Sequence, residues 1–313
     1  MSKQITSSIL MIRPLHFSMN AETAVNNYYQ KVIAGLSAEQ AQAQALAEFD
    51  RFVEVLRTNG IEVIVVEDTP ISETPDSIFP NNWLSLHHDG TFVLYPMFAE
   101  NRRQERRSDI VDVLLEAKFS VSRIKDLSLF ESQSKYLEGT GSMLLDRDNH
   151  LVYAALSQRT NIEVLEAFCE EFDYKKVVFT AMQTAHGERL PIYHTNVMMC
   201  ITNKLAIVCL ASIDEANERF ALIQSLESTS KHIIEISEEQ VNHFAGNMLA
   251  LRNKAGDEFL IMSEAALSVL DVEQKQKIEK HYKIISSSLD TIEALGGGSA
   301  RCMMAEIFLP KNI

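Results

Sequence analysis

Apolar and polar positions follow a pattern that occurs five times along the chain: an apolar run, a short polar turn and a second apolar run. The first two runs flank Asp89-Gly90, a dipeptide typical of two-residue hairpin turns. The next three turns lie at residues 146–149, 202–204 and 252–257. The fifth hairpin is predicted to form between residues 299–309 and the N-terminal run 7–14, which would close a circle.

Helical periodicity and single strands fill the segments between the hairpins. In residues 37–58, apolar side chains recur near a 3.6-residue period, at Leu46, Phe49, Val53 and Leu56. The Asn59-Gly60 pair predicts the end of this helix. Further helices are predicted at 102–117, 161–172 and 214–227, and strands at 61–68, 176–182 and 232–237.

One polar residue can be taken from the first predicted strand of each hairpin: Asn82, Glu138, His194, Asn247 and Cys302. Their separations are 56, 56, 53 and 55 residues. Near-constant spacing predicts a structural unit that recurs around an axis, and a closed ring leaves few exposed sheet edges. We therefore expect a closed α+β ring of repeated units in which these five side chains meet at a central active site.

Composition and charge narrow the class of protein. The chain has 313 residues, of which 46% are hydrophobic and 23% charged, as is usual for a globular protein of one large or two smaller domains. The net charge of −14 supplies no basic footprint for nucleic acid and disfavours binding to anionic membranes. A basic run at Arg102, Arg103, Arg106 and Arg107 is interpreted as a solvated face or an interdomain salt-bridge site rather than an anion site.

Signals for export, membrane insertion and disulfide formation are all missing from the sequence. Arg13 and Pro14 interrupt the short apolar stretch near the start, and no run approaches the roughly 18 apolar residues of a membrane span. The four cysteines, Cys169, Cys200, Cys209 and Cys302, have neither metal-ligand spacing nor an extracellular context. We expect a cytoplasmic protein.

Cys302 follows a loop rich in glycine, residues 296–298. Such a loop can expose a thiol and aim backbone N–H groups at its sulfur, which favours the nucleophilic thiolate. The alternative is a small buried hydrophobic residue. The other three cysteines are interpreted as packing residues.

His194 and Asn196 would share one face of a strand, because side chains alternate along strands. Glu138 precedes Gly139 and Gly141, and glycines within a strand often mark the approach of a ligand. A carboxylate of this kind can orient a histidine base. The alternatives are that His194 is a half-buried structural residue and that Glu138 opens an ordinary turn.

Residues 79–82, Phe-Pro-Asn-Asn, open the first hairpin. Pro80 predicts an edge strand or a bulge. The uncharged side chains of Asn81 and Asn82 can donate and accept hydrogen bonds to a ligand. The alternative is that they are ordinary polar residues at the start of a strand.

At these residues the chain resembles the pentein superfamily of guanidino-group-modifying enzymes and amidinotransferases, from Arg13-Pro14 to Cys302. The resemblance implies a five-bladed ββαβ propeller and a single pentein domain spanning residues 1–313. It also implies that Cys302 is the nucleophile and that His194, paired with Glu138, is the general acid and base. No metal or organic cofactor is then needed.

Two positions depart from the family pattern, because Asn82 and Asn196 stand where carboxylates that grip a guanidinium cation are expected. Two amides suit a neutral ureido group better. The sequence is therefore similar to the citrulline-utilisation hydrolases of the arginine-deiminase-related branch, which implies conversion of citrulline to ornithine, ammonia and carbon dioxide. Asn82, Asn196, Phe79, Asn81 and Asn247 would contact this substrate.

The amino-acid end of the substrate has weaker candidates. Asp76 is a candidate for the α-amine, and Arg13 either meets the carboxylate or forms a structural ion pair. A homo-oligomer is possible. Two other functions stay open: a deiminase or dihydrolase of arginine or a derivative, and a non-catalytic pentein that serves as a binding module.

Overall fold

The five predicted hairpins are antiparallel strand pairs in the structure, a computed structural model that describes residues 4–71, 73–185 and 187–312. The strands are Ser8–Arg13 (β1), Glu62–Glu67 (β2), Leu84–Leu86 (β3), Thr91–Leu94 (β4), Arg123–Asp126 (β5), Leu144–Asp146 (β6), Leu151–Ala155 (β7), Lys175–Phe179 (β8), Met182–Ala185 (β9), Glu188–Pro191 (β10), Met199–Ile201 (β11), Leu205–Val208 (β12), His232–Glu235 (β13), Leu249–Arg252 (β14), Glu258–Ser263 (β15), Lys283–Ser287 (β16) and Ala305–Glu306 (β17).

Within the described ranges, the strands form five three-stranded sheets of one design, in the orders β3-β4-β5, β6-β7-β8, β11-β12-β13, β14-β15-β16 and β17-β1-β2. In each sheet an antiparallel pair is extended by a third strand that runs parallel to the middle one. The parallel strand requires a crossover connection, which a helix supplies in most of these units. The predicted pairing of distant segments is confirmed, because Ile9 lies opposite Glu306.

The α-helices are Ala21–Ala24 (α1), Ala38–Thr58 (α2), Asp109–Glu116 (α3), Gly139–Ser142 (α4), Ile162–Phe172 (α5), Thr195–Met198 (α6), Ala216–Ser228 (α7), Glu238–Val241 (α8), Glu264–Val269 (α9), Val272–Glu279 (α10) and Asp290–Gly296 (α11). Shorter 3-10 turns occupy Pro80–Asn82, Asn101–Glu105, Ser128–Gln133 and Leu210–Ser212. Among the described residues, no helix has the length and apolar character needed to cross a membrane.

Helix α2 shows how the sequence pattern becomes structure. It starts at a capping box in which Ser37 accepts from the backbone of Gln40 while the Gln40 side chain binds the backbone of Ser37. Phe49, Phe52 and Leu56 of its apolar stripe are fully buried, and the helix packs against strands β1, β2 and β16 and helix α11. Burial of each such side chain stabilises the fold by roughly 1.5–3 kcal/mol.

Two predicted elements differ from the structure. Residues 102–117 are not one helix, because a 3-10 turn ends at Glu105 and Arg106 is extended before α3 begins. Residues 176–182 are not one strand either. The chain leaves β8 at Phe179 and enters the additional hairpin β9–β10, which leads to His194.

The five polar marker residues do not lie on the first strands of the hairpins, as predicted, but in the turns just before them. Asn82 ends a 3-10 turn, Glu138 and His194 precede α4 and α6, and Asn247 and Cys302 precede β14 and β17. Pro80 therefore starts a helical turn rather than an edge strand, a position where its missing N–H costs nothing. Strand alternation consequently does not explain why His194 and Asn196 face the same site.

Candidate active site

Cys302 is surrounded by amide donors. Its sulfur accepts from Asn247 Nδ2 at 3.2 Å and from Asn196 Nδ2 at 3.5 Å, and the side chain is 3% exposed. Asn247 is fixed in turn, because its Nδ2 also donates to the Asn196 carbonyl at 3.0 Å and its Oδ1 accepts from the Arg301 amide at 3.0 Å. This arrangement favours negative charge on the sulfur or on an atom that reacts with it.

The other three cysteines lie in different surroundings. Burial raises the pKa of the Cys169 thiol to about 11 and that of the Cys200 thiol to about 12. Burial also raises the pKa of Cys209. These thiols are protonated and buried, so they are poor nucleophiles.

Glu138 and His194 form a buried pair, with 2.7 Å between Oε2 and Nε2. Burial alone would raise the pKa of Glu138, but the Arg159 charge and the His194 hydrogen bond outweigh burial and lower the pKa to about 2. Burial lowers the pKa of His194 to about 4 against the opposing effect of Glu138. Near neutral pH the pair is therefore a carboxylate and a neutral imidazole.

The glycines after Glu138 make room for this pair. A Cβ placed on Gly141 would lie 2.6 Å from Asn82 Nδ2 and 2.7 Å from His194 Nδ1. Gly139 has a φ of +47° and lies against the backbone of Asn81, where a side chain would collide. The glycines predicted to mark a ligand's approach thus let the turn pack directly against two candidate site residues.

The interpretation of the arginine run as a solvated face or an interdomain salt-bridge site is wrong for Arg102, which is buried at the candidate site. It is 2% exposed, its Nη1 donates to Asn82 Oδ1 at 2.8 Å, and its Nε donates to Glu105 at 2.9 Å. The 3-10 turn at Asn101–Glu105 points Arg102 inward, whereas Arg106 and Arg107 form ion pairs with neighbouring carboxylates. Burial raises the pKa of Glu105 to about 7 despite the adjacent Arg102.

Asp76 carries an unpaired carboxylate oxygen. Its Oδ2 accepts from Asn20 Nδ2 at 2.8 Å and from Thr23 Oγ1 at 3.2 Å, while Oδ1 is buried and has no partner among the described residues. In the same part of the chain that the structure describes, Asn196 Oδ1 and Asn81 Nδ2 are also buried and unpaired. Buried polar atoms are nearly always hydrogen-bonded, so Asp76 Oδ1, whose residue lines the same cavity as Cys302, is available to a ligand.

A small cavity of about 10 Å³ brings most of these groups together. Its lining residues are Asn27, Asp76, Phe79, Asn82, Arg102, Arg159, Tyr193, His194, residues 296–298 and Cys302. Asn196 and Asn247 reach it through their contacts with the Cys302 sulfur. The cavity thus combines a thiol, an imidazole–carboxylate pair, two arginines and a carboxylate.

Residues 20–31, the covering segment, close one side of the cavity. Asn27 Nδ2 donates to the carbonyls of Gly296 and Gly297, each at 3.3 Å, and Gln30 Nε2 donates to the Leu295 carbonyl at 3.1 Å. Arg159 Nη2 donates to the carbonyl of Thr23 at 2.9 Å. The segment is therefore fastened to the loop that precedes Cys302 and to a cavity arginine.

Arg13 lies outside the cavity. It forms ion pairs with Asp50 at 2.8 Å and with Glu67 at 3.4 Å, and it is not among the residues that line the cavity. Of the two roles considered for Arg13, the structure contains the ion pair. Asn81 is buried beside Asn82, to which its Oδ1 is hydrogen-bonded at 3.0 Å.

Sequence reasoning missed Arg159, Tyr193 and the covering segment. Arg159 follows strand β7, and its guanidinium lies 4.7 Å from the Tyr193 ring centre. The Tyr193 hydroxyl donates to the Gly297 carbonyl at 2.6 Å. One signal was available for Tyr193, because it precedes His194 directly, whereas Arg159 stands in a polar loop with nothing to distinguish it.

Comparison with known proteins identifies related folds. A family model described as N,N dimethylarginine dimethylhydrolase, eukaryotic, matches residues 13–309. No curated protein matches the chain in sequence. Among solved structures, the chain is similar to apo ArgZ, an arginine dihydrolase from the ornithine-ammonia cycle in Cyanobacteria, with a TM-score of 0.73 and 18% identity.

That match covers 97% of this chain and 41% of ArgZ, so the chain spans about two fifths of the length of ArgZ. The chain is also similar to the N-terminal domain of a Cys-to-Ser variant of ArgZ bound to substrate, with a TM-score of 0.72 and 18% identity over 96% of this chain and 99% of that one. A His-to-Gly variant of dimethylarginine dimethylaminohydrolase, an adduct with S-methyl-L-thiocitrulline, has a TM-score of 0.63 and 16% identity over 96% and 99% of the two chains. At these identities the likeness establishes the fold.

Proposed function

The chain belongs to the family described as N,N dimethylarginine dimethylhydrolase, eukaryotic, within the arginine-modifying hydrolases of the pentein superfamily, and from that premise we propose a specific reaction. The protein hydrolyses a C–N bond in the guanidino or ureido group of an arginine-derived amino acid, with Cys302 as covalent nucleophile. One observation carries the proposal: the Cys302 sulfur, with its two amide donors, lines the same small cavity as His194, which is paired with Glu138.

The protonation states assign the roles in the proposed mechanism. Because Glu138 is a carboxylate, His194 Nε2 donates to it and Nδ1 is left as a base. His194 accepts the thiol proton as Cys302 attacks the central carbon, and it returns that proton to the departing nitrogen. Asn247 and Asn196 stabilise the negative charge that develops during attack. A water molecule, deprotonated by His194, then attacks the S-carbamoyl or S-amidino group on Cys302, and the C–S bond breaks to release the Cys302 thiolate, which His194 can reprotonate.

The amino-acid end of the substrate is proposed to bind Asp76 and Arg159. Asp76 Oδ1 is an unpaired acceptor suited to an α-ammonium group. Arg159 Nη1 has a single long contact, 3.5 Å to Glu138, so it retains donor capacity for the α-carboxylate. Both residues are buried in the cavity wall, where charge-assisted hydrogen bonds are stronger than in water.

Citrulline is the substrate proposed first. Asn82 and Asn196 are neutral, so a guanidinium facing them would lose charge-assisted hydrogen bonds worth roughly 1.5–3 kcal/mol each. A ureido oxygen, by contrast, accepts from the amide groups of Asn196 and Asn247 beside the sulfur. The products would be ornithine, ammonia and carbon dioxide.

A second candidate is arginine or an N-methylated arginine. It is favoured by the unpaired Asp76 oxygen, which would bind a guanidinium if the terminal group of the substrate lay against it. The description of the family points the same way. In this alternative the terminal group of the substrate faces Asp76, whereas in the first candidate the α-ammonium group does.

A substrate panel tests the proposal. Citrulline, arginine, dimethylarginine, agmatine and succinylarginine would be incubated with the protein and with Cys302→Ser, and ammonia, amines and ornithine would be quantified. Faster turnover of citrulline supports the ureido substrate, and faster turnover of arginine contradicts the charge argument. If no compound is consumed and all four thiols are alkylated equally slowly, the non-catalytic binding module is the better description.

We also propose that residues 1–313 form one domain whose five units make a ring. The support comes from contacts between the turns that precede successive hairpins. Thr140 Oγ1 donates to the Asn81 carbonyl at 3.3 Å, Thr195 Oγ1 donates to the Ser142 carbonyl at 2.6 Å, and Asn247 binds both Asn196 and Arg301. Gly298 lies against Phe79, which would complete the circle. A free catalytic thiol also suits a reducing cytoplasm.

A further inference from the structure

Glu293 is a buried carboxyl group close to the nucleophile but outside the proposed catalytic set. It lies in helix α11 and is 5% exposed. The Ser299 hydroxyl donates to Glu293 Oε1 at 2.5 Å, and the Ser299 carbonyl accepts from the Cys302 amide at 3.0 Å. Two hydrogen bonds through one serine therefore connect Glu293 to the residue that carries the thiol.

The loop between Glu293 and Cys302 contains few residues that restrict its own backbone. Residues 296–298 are glycines, which restrict the backbone least. Their position is nevertheless narrowly limited, because a Cβ on Gly298 would lie 2.9 Å from the Phe79 ring and 3.4 Å from Cys302 Cβ. Glu293 holds both ends of the loop: its carbonyl accepts from the Gly297 amide at 3.0 Å and its side chain holds Ser299.

We propose that Glu293 is a positioning residue that acts through Ser299 to hold the loop before Cys302, keeping the sulfur within reach of the Asn196 and Asn247 amides. The inference deepens the proposed function and rests on it. A displacement of the sulfur by a fraction of an ångström would weaken both amide contacts, which are 3.5 and 3.2 Å long.

The surroundings of Glu293 also make this positioning dependent on pH. The charged groups that face it are Asp290 on its own helix and Glu48 on α2, both acidic, and the Ser263 hydroxyl at the end of β15 is a neutral neighbour. Burial and these two acidic groups raise the pKa of Glu293 to about 7. Near neutral pH the group thus changes between an acid, which can donate one hydrogen bond, and a carboxylate, which only accepts.

Alkylation of Cys302 by iodoacetamide without substrate provides the test, followed for each thiol by peptide mass spectrometry from about pH 5.5 to 8.5. We expect a step near neutral pH in the wild-type profile that is missing in Glu293→Gln, which keeps an amide oxygen for Ser299. Ser299→Ala and Glu293→Ala are expected to change the Cys302 rate roughly tenfold and to lower kcat more than they affect KM. If Glu293→Ala does not fold, Glu293→Gln and Ser299→Ala still test the inference.

Glu48→Gln is the matched control. Glu48 is also a buried carboxyl group, and it accepts from the amides of Thr291 and Ile292 at the start of α11. Its substitution should lower stability and move the step in the Cys302 alkylation profile to lower pH without abolishing it, because it removes one of the charges that raise the pKa of Glu293. Fast wild-type alkylation that is unaffected by the Glu293 and Ser299 variants would overturn the inference and leave the proposed function intact. Wild-type Cys302 that reacts no faster than the other thiols would instead contradict the proposed function.

Discussion

Glu138 Oε2 lies 2.7 Å from His194 Nε2, and this contact determines which ring nitrogen of the histidine carries the proton. The other Glu138 oxygen accepts from the Phe98 amide at 3.0 Å, so the carboxylate cannot rotate away without losing a second bond. His194 is thereby held as a neutral imidazole with Nδ1 as its acceptor. The relationship gives the first prediction.

Glu138→Gln should reduce kcat by about 10²–10⁴-fold, because an amide in place of the carboxylate no longer fixes the tautomer or stabilises the imidazolium that forms during the reaction. Steady-state kinetics with the best substrate of the panel measures this loss. Glu131→Gln is the control, since Glu131 forms a comparable ion pair with Arg106 outside the cavity. Equal activity of both variants would show that the pair has no catalytic role.

The acid limb of the activity profile should lie near pH 4, where His194 becomes protonated, and not near the ordinary histidine pKa of about 6.5. The base is the neutral form, so the contribution of His194 to activity is retained above about pH 4 and falls about tenfold per pH unit below it. The dependence of kcat/KM on pH, at values where circular dichroism shows folded protein, measures the limb. A limb near pH 6.5 would mean that the imidazole is solvated.

The same pKa values link pH to stability. Both folded-state pKa values are depressed, to about 4 for His194 and about 2 for Glu138, so the stability they contribute is complete above the unfolded pKa and is lost as pH falls through the folded pKa. We expect the free energy of unfolding to decline from about pH 6.5 downward. His194→Gln should remove the part of this decline between about pH 6.5 and 4, as urea denaturation would measure.

Asn196→Asp should shift preference towards cationic substrates. Asn196 Oδ1 is unpaired and the same amide contacts the Cys302 sulfur, so a carboxylate here would attract a guanidinium and repel the thiolate. We expect kcat to fall overall and the ratio of kcat/KM for arginine over citrulline to rise by about tenfold or more. Asn203→Asp is a control of the same chemistry outside the cavity. An unchanged ratio would argue that Asn196 does not face the terminal group.

Asn27→Ala should loosen the covering segment, because it removes two hydrogen bonds to the carbonyls of Gly296 and Gly297. Cys302 should then be alkylated several-fold faster in the absence of substrate, and KM should rise, since a cavity that opens more often binds substrate less tightly. Asn149→Ala, which loses only one side-chain hydrogen bond, from Nδ2 to Asp146, is the control. Identical alkylation rates would show that access to the thiol does not depend on this segment.

The sequence predicted the hairpins better than the positions of the site residues within them. Turn dipeptides such as Asp89-Gly90 act locally, so strand pairing could be inferred from neighbouring residues. Asn82 and His194 were placed on strands because the helical turns that hold them are only three or four residues long, too short to show a period. The near-constant spacing of the five marker residues was nevertheless informative, because equivalent turns occupy equivalent places in each unit.

Arg102 could not be placed from sequence, and the reason is physical. A buried arginine is stable only when its charge and its donors are satisfied, and the groups that satisfy Arg102 include Asp76, Asn82 and Glu105. Two of these belong to a segment about 20 residues away, and no local pattern shows that they converge. The covering segment was missed likewise, because its partners lie near residue 296.

The pairing of β17 with β1 affects the stage of synthesis and folding at which the site is completed. Cys302 lies three residues before β17, and that strand is completed only when it meets residues 9 and 10, which are synthesised long before it. Contacts between such distant segments form late, because loop closure must precede them. A nascent chain therefore carries His194 and Glu138 long before it has a nucleophile. The chemistry is withheld until β17 joins β1 and β2 in one sheet, so that partly synthesised chains would be inert towards their substrate.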